Sequence, residues 1–259
     1  MALFTDIEMI VAQDLLPYES SLLQVASAHS INVDQKIALA KRDVGENLML
    51  FLQDAGVSDP QWLSRLVIGL STVVVTPPLK RWLCLEALTK FFAEAHNIQL
   101  NTRFNAKWQE YQQDTKFAAD QALHAGLGIV YSPLPKPQLP EISLQAGVAP
   151  QEPLYVQVTW LNSQGVESAP SPVNGLVVNA QSSISVQMTE GALKSPPAAF
   201  GWNVYLGSNE DSITLQNGNP LSIGSTWSLP ASGIVNGSKS GDGQKPDFII
   251  PISRQIRRG

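Results

Sequence analysis

Tyr155-Val156-Gln157-Val158-Thr159-Trp160 alternates large apolar or aromatic residues with polar ones, a period of two that belongs to a half-buried β-strand. Downstream the same texture returns in short runs. They are Val173 to Val178, Ile184-Ser185-Val186-Gln187-Met188, Trp202-Asn203-Val204-Tyr205-Leu206, Ile213 to Leu215 and Thr226-Trp227-Ser228-Leu229. Turn formers separate them: Gly165, Ser168-Ala169-Pro170-Ser171-Pro172, Gly207-Ser208-Asn209 and Asn217-Gly218-Asn219-Pro220. Short strands at this spacing predict an all-β sandwich or barrel over 153–246. Asn236 to Lys245 reads as a flexible Gly/Ser loop, and Asp247-Phe248-Ile249-Ile250-Pro251-Ile252 as a last extended apolar segment.

Upstream, the period changes to that of helices. Leu3 to about Ala28 reads as a helical stretch broken by Pro17. Asp34 is placed to cap a helix with apolar positions Ile37, Ala40, Val44, Leu48, Phe51, Leu52 and Ala55, and Gly56 to end it. Asp59-Pro60 predicts a short helix to about Leu70, followed by an extended β-branched run, Ser71 to Val75. From Thr76-Pro77-Pro78 to about His96, apolar residues occupy more than one face (Leu79, Trp82, Leu83, Leu85, Leu88, Phe91, Phe92), which predicts a central helix. Asn101 to about Ala125 carries one stripe, Phe104, Trp108, Tyr111, Thr115, Ala118 or Ala119, and Ala122, and Gly126 and Gly128 stop it. Between the halves, Ser132-Pro133-Leu134-Pro135-Lys136-Pro137-Gln138-Leu139-Pro140 reads as a semi-rigid polyproline spacer. The expected plan is α+β and multidomain. A helical bundle spans 1–131 and a Pro-rich linker 132–152. A β-sandwich follows at 153–246 and an extended tail at 247–259.

The 259 residues hold 44% apolar and 15% charged side chains, which is apolar enough for packed cores and poorer in charge than the ~25% usual for soluble domains. A chain this poor in charge often buries surface against other subunits, although β-rich domains with Ser, Thr, Asn and Gln surfaces have the same composition. Net charge is −5, with ten basic and fourteen acidic residues in 1–135 and seven and eight in 136–259. No basic domain of the kind that grips phosphate is present. The cationic cluster is Arg254, Arg257 and Arg258. The N-terminus lacks the charged and apolar regions of a signal peptide, and no run is long enough to span a bilayer, so synthesis in a cytoplasm without a membrane anchor is expected.

No catalytic constellation emerges. Cys84 is the single cysteine and sits in an apolar helical run. His29, His96 and His124 fall at or near helix ends without metal-ligand spacing. Glu86 and Glu94 are eight residues apart, about 12 Å along a helix, too far for an acid/base pair. Glu210-Asp211 lies in a turn, and Gly126-Leu127-Gly128 ends a helix where a dinucleotide fingerprint would begin one. Asn236-Gly237-Ser238 matches a glycosylation sequon that has no meaning without secretion. The expectation is a non-enzyme without cofactor or metal. The residues expected to bind a partner are Phe248, Ile249, Ile250, Ile252, Arg254, Arg257 and Arg258. An extended apolar segment can add a strand to a partner sheet while arginines pair with acids or phosphate.

Two stretches carry a resemblance. Tyr155 to Ser171, with Leu161-Asn162-Ser163-Gln164-Gly165-Val166-Glu167-Ser168-Ala169-Pro170 after the first strand, then Gly201-Trp202-Asn203-Val204-Tyr205-Leu206-Gly207 and Ile223-Gly224-Ser225-Thr226-Trp227, resemble the fibronectin-III/Ig-like modules of tailed-phage structural proteins. Asn101 to Ala125, with Trp108-Gln109-Glu110-Tyr111-Gln112-Gln113-Asp114 and the exit Gly126-Leu127-Gly128-Ile129-Val130-Tyr131-Ser132-Pro133, is similar in texture to the helical head-to-tail adaptor (connector) proteins of those phages. The resemblance implies a virion protein at the head-tail junction. It would form a ring, commonly of twelve copies, between the portal protein and a neck or tail protein. DNA would pass through its channel without specific binding. In some relatives a C-terminal tail docks on the portal; here the tail follows an inserted or appended module. The competing expectation is a tail or capsid-surface protein whose Ig-like domain recognises host glycan; its aromatics could stack on sugar rings, but Trp160, Trp202, Tyr205 and Trp227 lie in expected strands, where core packing is the commoner role.

Overall fold

In the computed structural model the described residues are 1–7, 9–58, 69–99, 104–147, 152–179, 182–189 and 195–250. Helices precede β-sheets, an α+β plan. The chain divides into two compact units, and it crosses between them three times. One unit is Ile7–Tyr131 joined by the chain from Pro246 on; the other is Met1–Asp6 with Ser132–Lys245.

The helical unit holds α1 (Ala12–Leu15), α2 (Leu22–His29), α3 (Val33–Ser58), α4 (Pro77–Gln99) and α5 (Asn105–Ala125). The break at Pro17 is present, but the helix before it is a single turn. Asn32, not Asp34, caps α3: its Oδ1 accepts the Gln35 N–H at 3.0 Å, while Asp34 lies in the first turn. Gly56 does not stop α3, which runs on to Ser58. The helix expected from Asp59 and the Asn101 cap lie outside the described residues.

As its sequence predicts, α4 is central. It packs on α1, α3 and α5, and Leu79, Trp82, Leu83, Leu85, Leu88, Phe91 and Phe92 are all buried. Each such side chain contributes roughly 1.5–3 kcal/mol relative to exposure. Phe92 stacks on Tyr111 of α5, with centroids 5.3 Å apart. The Thr89 and Thr115 hydroxyls pair at 2.9 Å inside the α4–α5 contact, and Thr89 also donates to the Leu85 carbonyl. Charge ties α3 to α4: the Lys90 ammonium sits 2.6 Å from Asp43 and 3.0 Å from Glu86, and Lys36 pairs with Glu94.

The β unit is built from two antiparallel sheets. One has the order β2 (Glu141–Ala146), β5 (Ser182–Gln187), β9 (Thr226–Ser228). The other runs β4 (Asn174–Val177), β3 (Pro153–Leu161), β6 (Gly201–Gly207), β7 (Thr214–Leu215), with β8 (Leu221–Ser222) also on β6. The alternation read from Tyr155 onward sorts β3 as expected: Leu154, Val156, Val158 and Trp160 enter one core with Trp202, Val204 and Leu206 of β6 and Ile184 and Val186 of β5. Trp160 and Trp202 are register partners, so the two indoles anchor the same rung. The Trp202 indole N–H is satisfied by the Ser222 carbonyl at 2.9 Å.

Two boundaries and one expected loop differ from the sequence reading. The segment 132–152 is not a separate linker, because its described residues belong to the β unit. Leu134 is in the core, and β2 pairs along its whole length with β5. The Gln244 side chain clamps the segment's start, accepting from the Leu134 N–H at 2.7 Å and donating to the Ser132 carbonyl at 2.8 Å. Met1–Asp6 is not helical and also belongs to the β unit. The Asp6 carboxylate accepts the Leu3 and Lys136 N–H groups at 2.7 and 3.0 Å. Lastly, the Gly/Ser stretch before Lys245 is partly docked, since the Leu215 N–H donates to the Ser238 carbonyl at 2.8 Å.

Candidate interaction surface

The expected partner-binding tail begins as part of the helical unit. Its first residues form β10 (Asp247–Ile249), antiparallel to β1 (Leu127–Ile129) at the exit of α5. β1 is fully buried. Its other edge is also used: the Val74 N–H donates to the Gly128 carbonyl and the Val130 N–H to the Thr72 carbonyl, both at 2.9 Å, and Val73 bridges Ile129. The β-branched run read as extended chain thus supplies one neighbour of β1, after a 3₁₀ turn at Leu70–Thr72, and the tail supplies the other.

The glycines explain why the tail fits. Gly126 closes α5 at φ 95°, a left-handed conformation that L side chains rarely adopt. Gly128 has another role. A Cβ there would stand 2.9 Å from both Pro246 Cβ and Thr76 Cγ2, so only a bare backbone lets the tail and the start of α4 close on β1. The Gly126-Leu127-Gly128 pair is a helix stop followed by a strand cradle.

Of the expected binding residues, Phe248 and Ile250 are 55% and 61% exposed, and Ile249 is half-buried. Phe248 and Ile249 make backbone pairs with Gly128 and Leu127. Asp247 to Ile249 therefore spend one strand edge inside their own chain. Ile252, Arg254, Arg257 and Arg258 lie outside the described residues.

Elsewhere the polar groups are arranged for packing. Cys84 is buried, and burial pushes its thiol up to about 11. His29 meets Phe104 edge-on and His96 stacks on Trp108, both with centroids 5.6 Å apart. Glu86 and Glu94 are taken by Lys90 and Lys36 and do not face each other as a pair. Glu210 and Asp211 form a 3₁₀ turn. No group of three or more His, Cys, Asp or Glu able to hold a metal exists among the described residues. No helix among them is long and apolar enough to cross a membrane.

Two carboxylate clusters, one on the buried Glu19 and one on the half-buried Glu167, escaped the sequence reading. Glu19 takes the Lys107 ammonium, the Ser21 hydroxyl at 2.5 Å and the Tyr111 hydroxyl at 3.3 Å. Burial works to raise its pKa, but the hydrogen bonds from Lys107 and Ser21 outweigh this and hold it below the usual range. Lys107 also lies 5.4 Å from the Phe92 ring centre. In the β unit, Glu167 accepts the Tyr205 hydroxyl at 2.7 and 2.9 Å and the Asn203 amide, which in turn accepts from Asn217 at 2.8 Å. Burial, then the Glu167 carboxylate, raise the Tyr205 pKa. Both clusters join residues far apart in sequence, and no local motif announces them.

The four strand aromatics weighed as sugar-stacking rings, Trp160, Trp202, Tyr205 and Trp227, are all buried, the core role their strands led us to expect. A cleft of about 440 Å³ at the end of the three-stranded sheet is lined by Gln145, Ser183, Ser228 and Ser232 among small residues, without a charged or aromatic side chain. No protein-family model matches the chain, and no curated protein sequence matches it.

Proposed function

We propose that the chain is a structural protein of a tailed-phage virion, a head-to-tail adaptor. In this reading it forms a homo-oligomeric ring between portal and neck or tail protein and continues the DNA channel. The observation that carries it is the return of the tail. Through the β1–β10 pair, the C-terminal segment is an extension of the helical unit, and the β unit is inserted between the two strands. In this reading a portal-docking tail would start from the helical part, and the pairing of Asp247–Ile249 with β1 supports it in spite of the intervening module. The exposed Phe248 and Ile250 are then the portal-facing elements.

The charge balance supports the same reading. The helical half carries an acidic excess, and an acidic channel wall repels phosphate and lets DNA slide rather than stick. The β unit, read as an Ig-like sandwich from its two antiparallel sheets and shared core, serves as a brace or decoration. Its buried tryptophans withdraw the specific support for the glycan reading.

Labelling particles with antibody to the chain tests the proposal. Label confined to the head-tail junction is expected. Label on tail fibres, or none on the particle, overturns it.

A further inference from the structure

The solvent face of α5 carries a large aromatic that the core does not use. Phe117 is 56% exposed, whereas the buried face of α5 is Tyr111, Thr115, Ala118 and Ala122. Asp114 and Asp120 lie three residues to either side and Glu110 seven before, all exposed. At helical spacing they flank the ring on one surface. Of the basic groups nearby, Lys116 is turned about 100° away around the helix, and the Arg81 guanidinium of α4 donates to Gln121, four residues after Phe117, at 3.4 Å. An apolar ring framed by carboxylates fits a segment that is both apolar and cationic.

The chain contains one. Residues 251–259 hold Ile252 and Ile256 with Arg254, Arg257 and Arg258, and no acid. We propose that Phe117 and its acidic frame on one copy receive the C-terminal segment of a second copy. The isoleucines cover the ring. The arginines pair with Glu110, Asp114 and Asp120, where their planar forks suit carboxylates and aromatic faces alike. Face and tail are different surfaces, so the contact is head-to-tail, the geometry that closes into a ring when its rotation permits. The inference does not depend on where such an assembly resides.

Sedimentation velocity on the full chain tests it. Phe117→Ser, at an exposed position, is expected to weaken self-association about tenfold or more. Replacing Arg254, Arg257 and Arg258 by Glu weakens it likewise, and adding Asp114→Lys and Asp120→Lys to that variant restores it. Unchanged association in Phe117→Ser overturns the proposal. A chain carrying Asp114→Cys and Ile256→Cys, oxidised, separates the two ways a tail can reach the face. Covalent dimers and higher species are expected, and a cross-link closed within single chains overturns the second-copy assignment. Rings that persist in Phe117→Ser would sink this contact and leave the adaptor reading standing.

Discussion

Phe248 lies directly opposite Gly128 in the antiparallel pair that ties the C-terminal strand to the exit of α5. The pairing gives the tail an address on the helical unit, after more than a hundred residues of β structure. It also makes the missing side chain of Gly128 a structural requirement.

Gly128→Val places a Cβ where Pro246 and Thr76 already stand. Overpacking of this kind costs about 1–3 kcal/mol. Here the strain should be relieved by releasing the tail. Amide exchange at Leu127, Ile129 and Ile249 should quicken while α3 and α4 hold their protection. Unaltered exchange in β1 and β10 would contradict the pairing.

Removing the Tyr205 hydroxyl takes from the Glu167 carboxylate the donor that meets both of its oxygens, and leaves it the Asn203 amide. Tyr205→Phe should destabilise the β unit by about 1–3 kcal/mol. Glu167→Gln alone should cost less. A double-mutant cycle by urea denaturation should give a coupling above about 0.5 kcal/mol, and strict additivity would refute it.

Glu19 should give the helical unit an acid limb. Its folded pKa is depressed, so its contribution is fully present above the unfolded carboxylate value of about 4.3. It is lost as pH falls through the lower folded value. Stability measured between pH 6 and 3 should fall less steeply in Glu19→Gln than in the parent. Equal slopes would remove Glu19 from the acid response.

Cys84 should resist thiol reagents. With the thiol at about 11 and no access to solvent, labelling at pH 8 should track unfolding and accelerate sharply in denaturant. Rapid labelling of the native chain would show that α4 is not central.

Much of this fold is legible in local patterns. The period of two through Tyr155–Trp160 marks β3 and its core face, and the crowded apolar faces of Pro77–His96 mark α4 as central. What is illegible depends on partners distant in sequence. β2 hides behind prolines at 133, 135, 137 and 140, yet finds a complete ladder on β5. Leu3 and Phe4 look like the start of a helix, but Asp6 ties them to the β unit through Lys136. Gly128 reads as a stop signal until Pro246 arrives from the far end of the chain. The candidate tail is visible as apolar residues followed by arginines, while its docking on β1 is a tertiary fact.

Electron microscopy of the purified full-length chain tests the central claim most directly. The account predicts closed rings of uniform copy number with an open central channel. A strictly monomeric protein, at concentrations where adaptor rings would form and in the presence of portal protein, would contradict it.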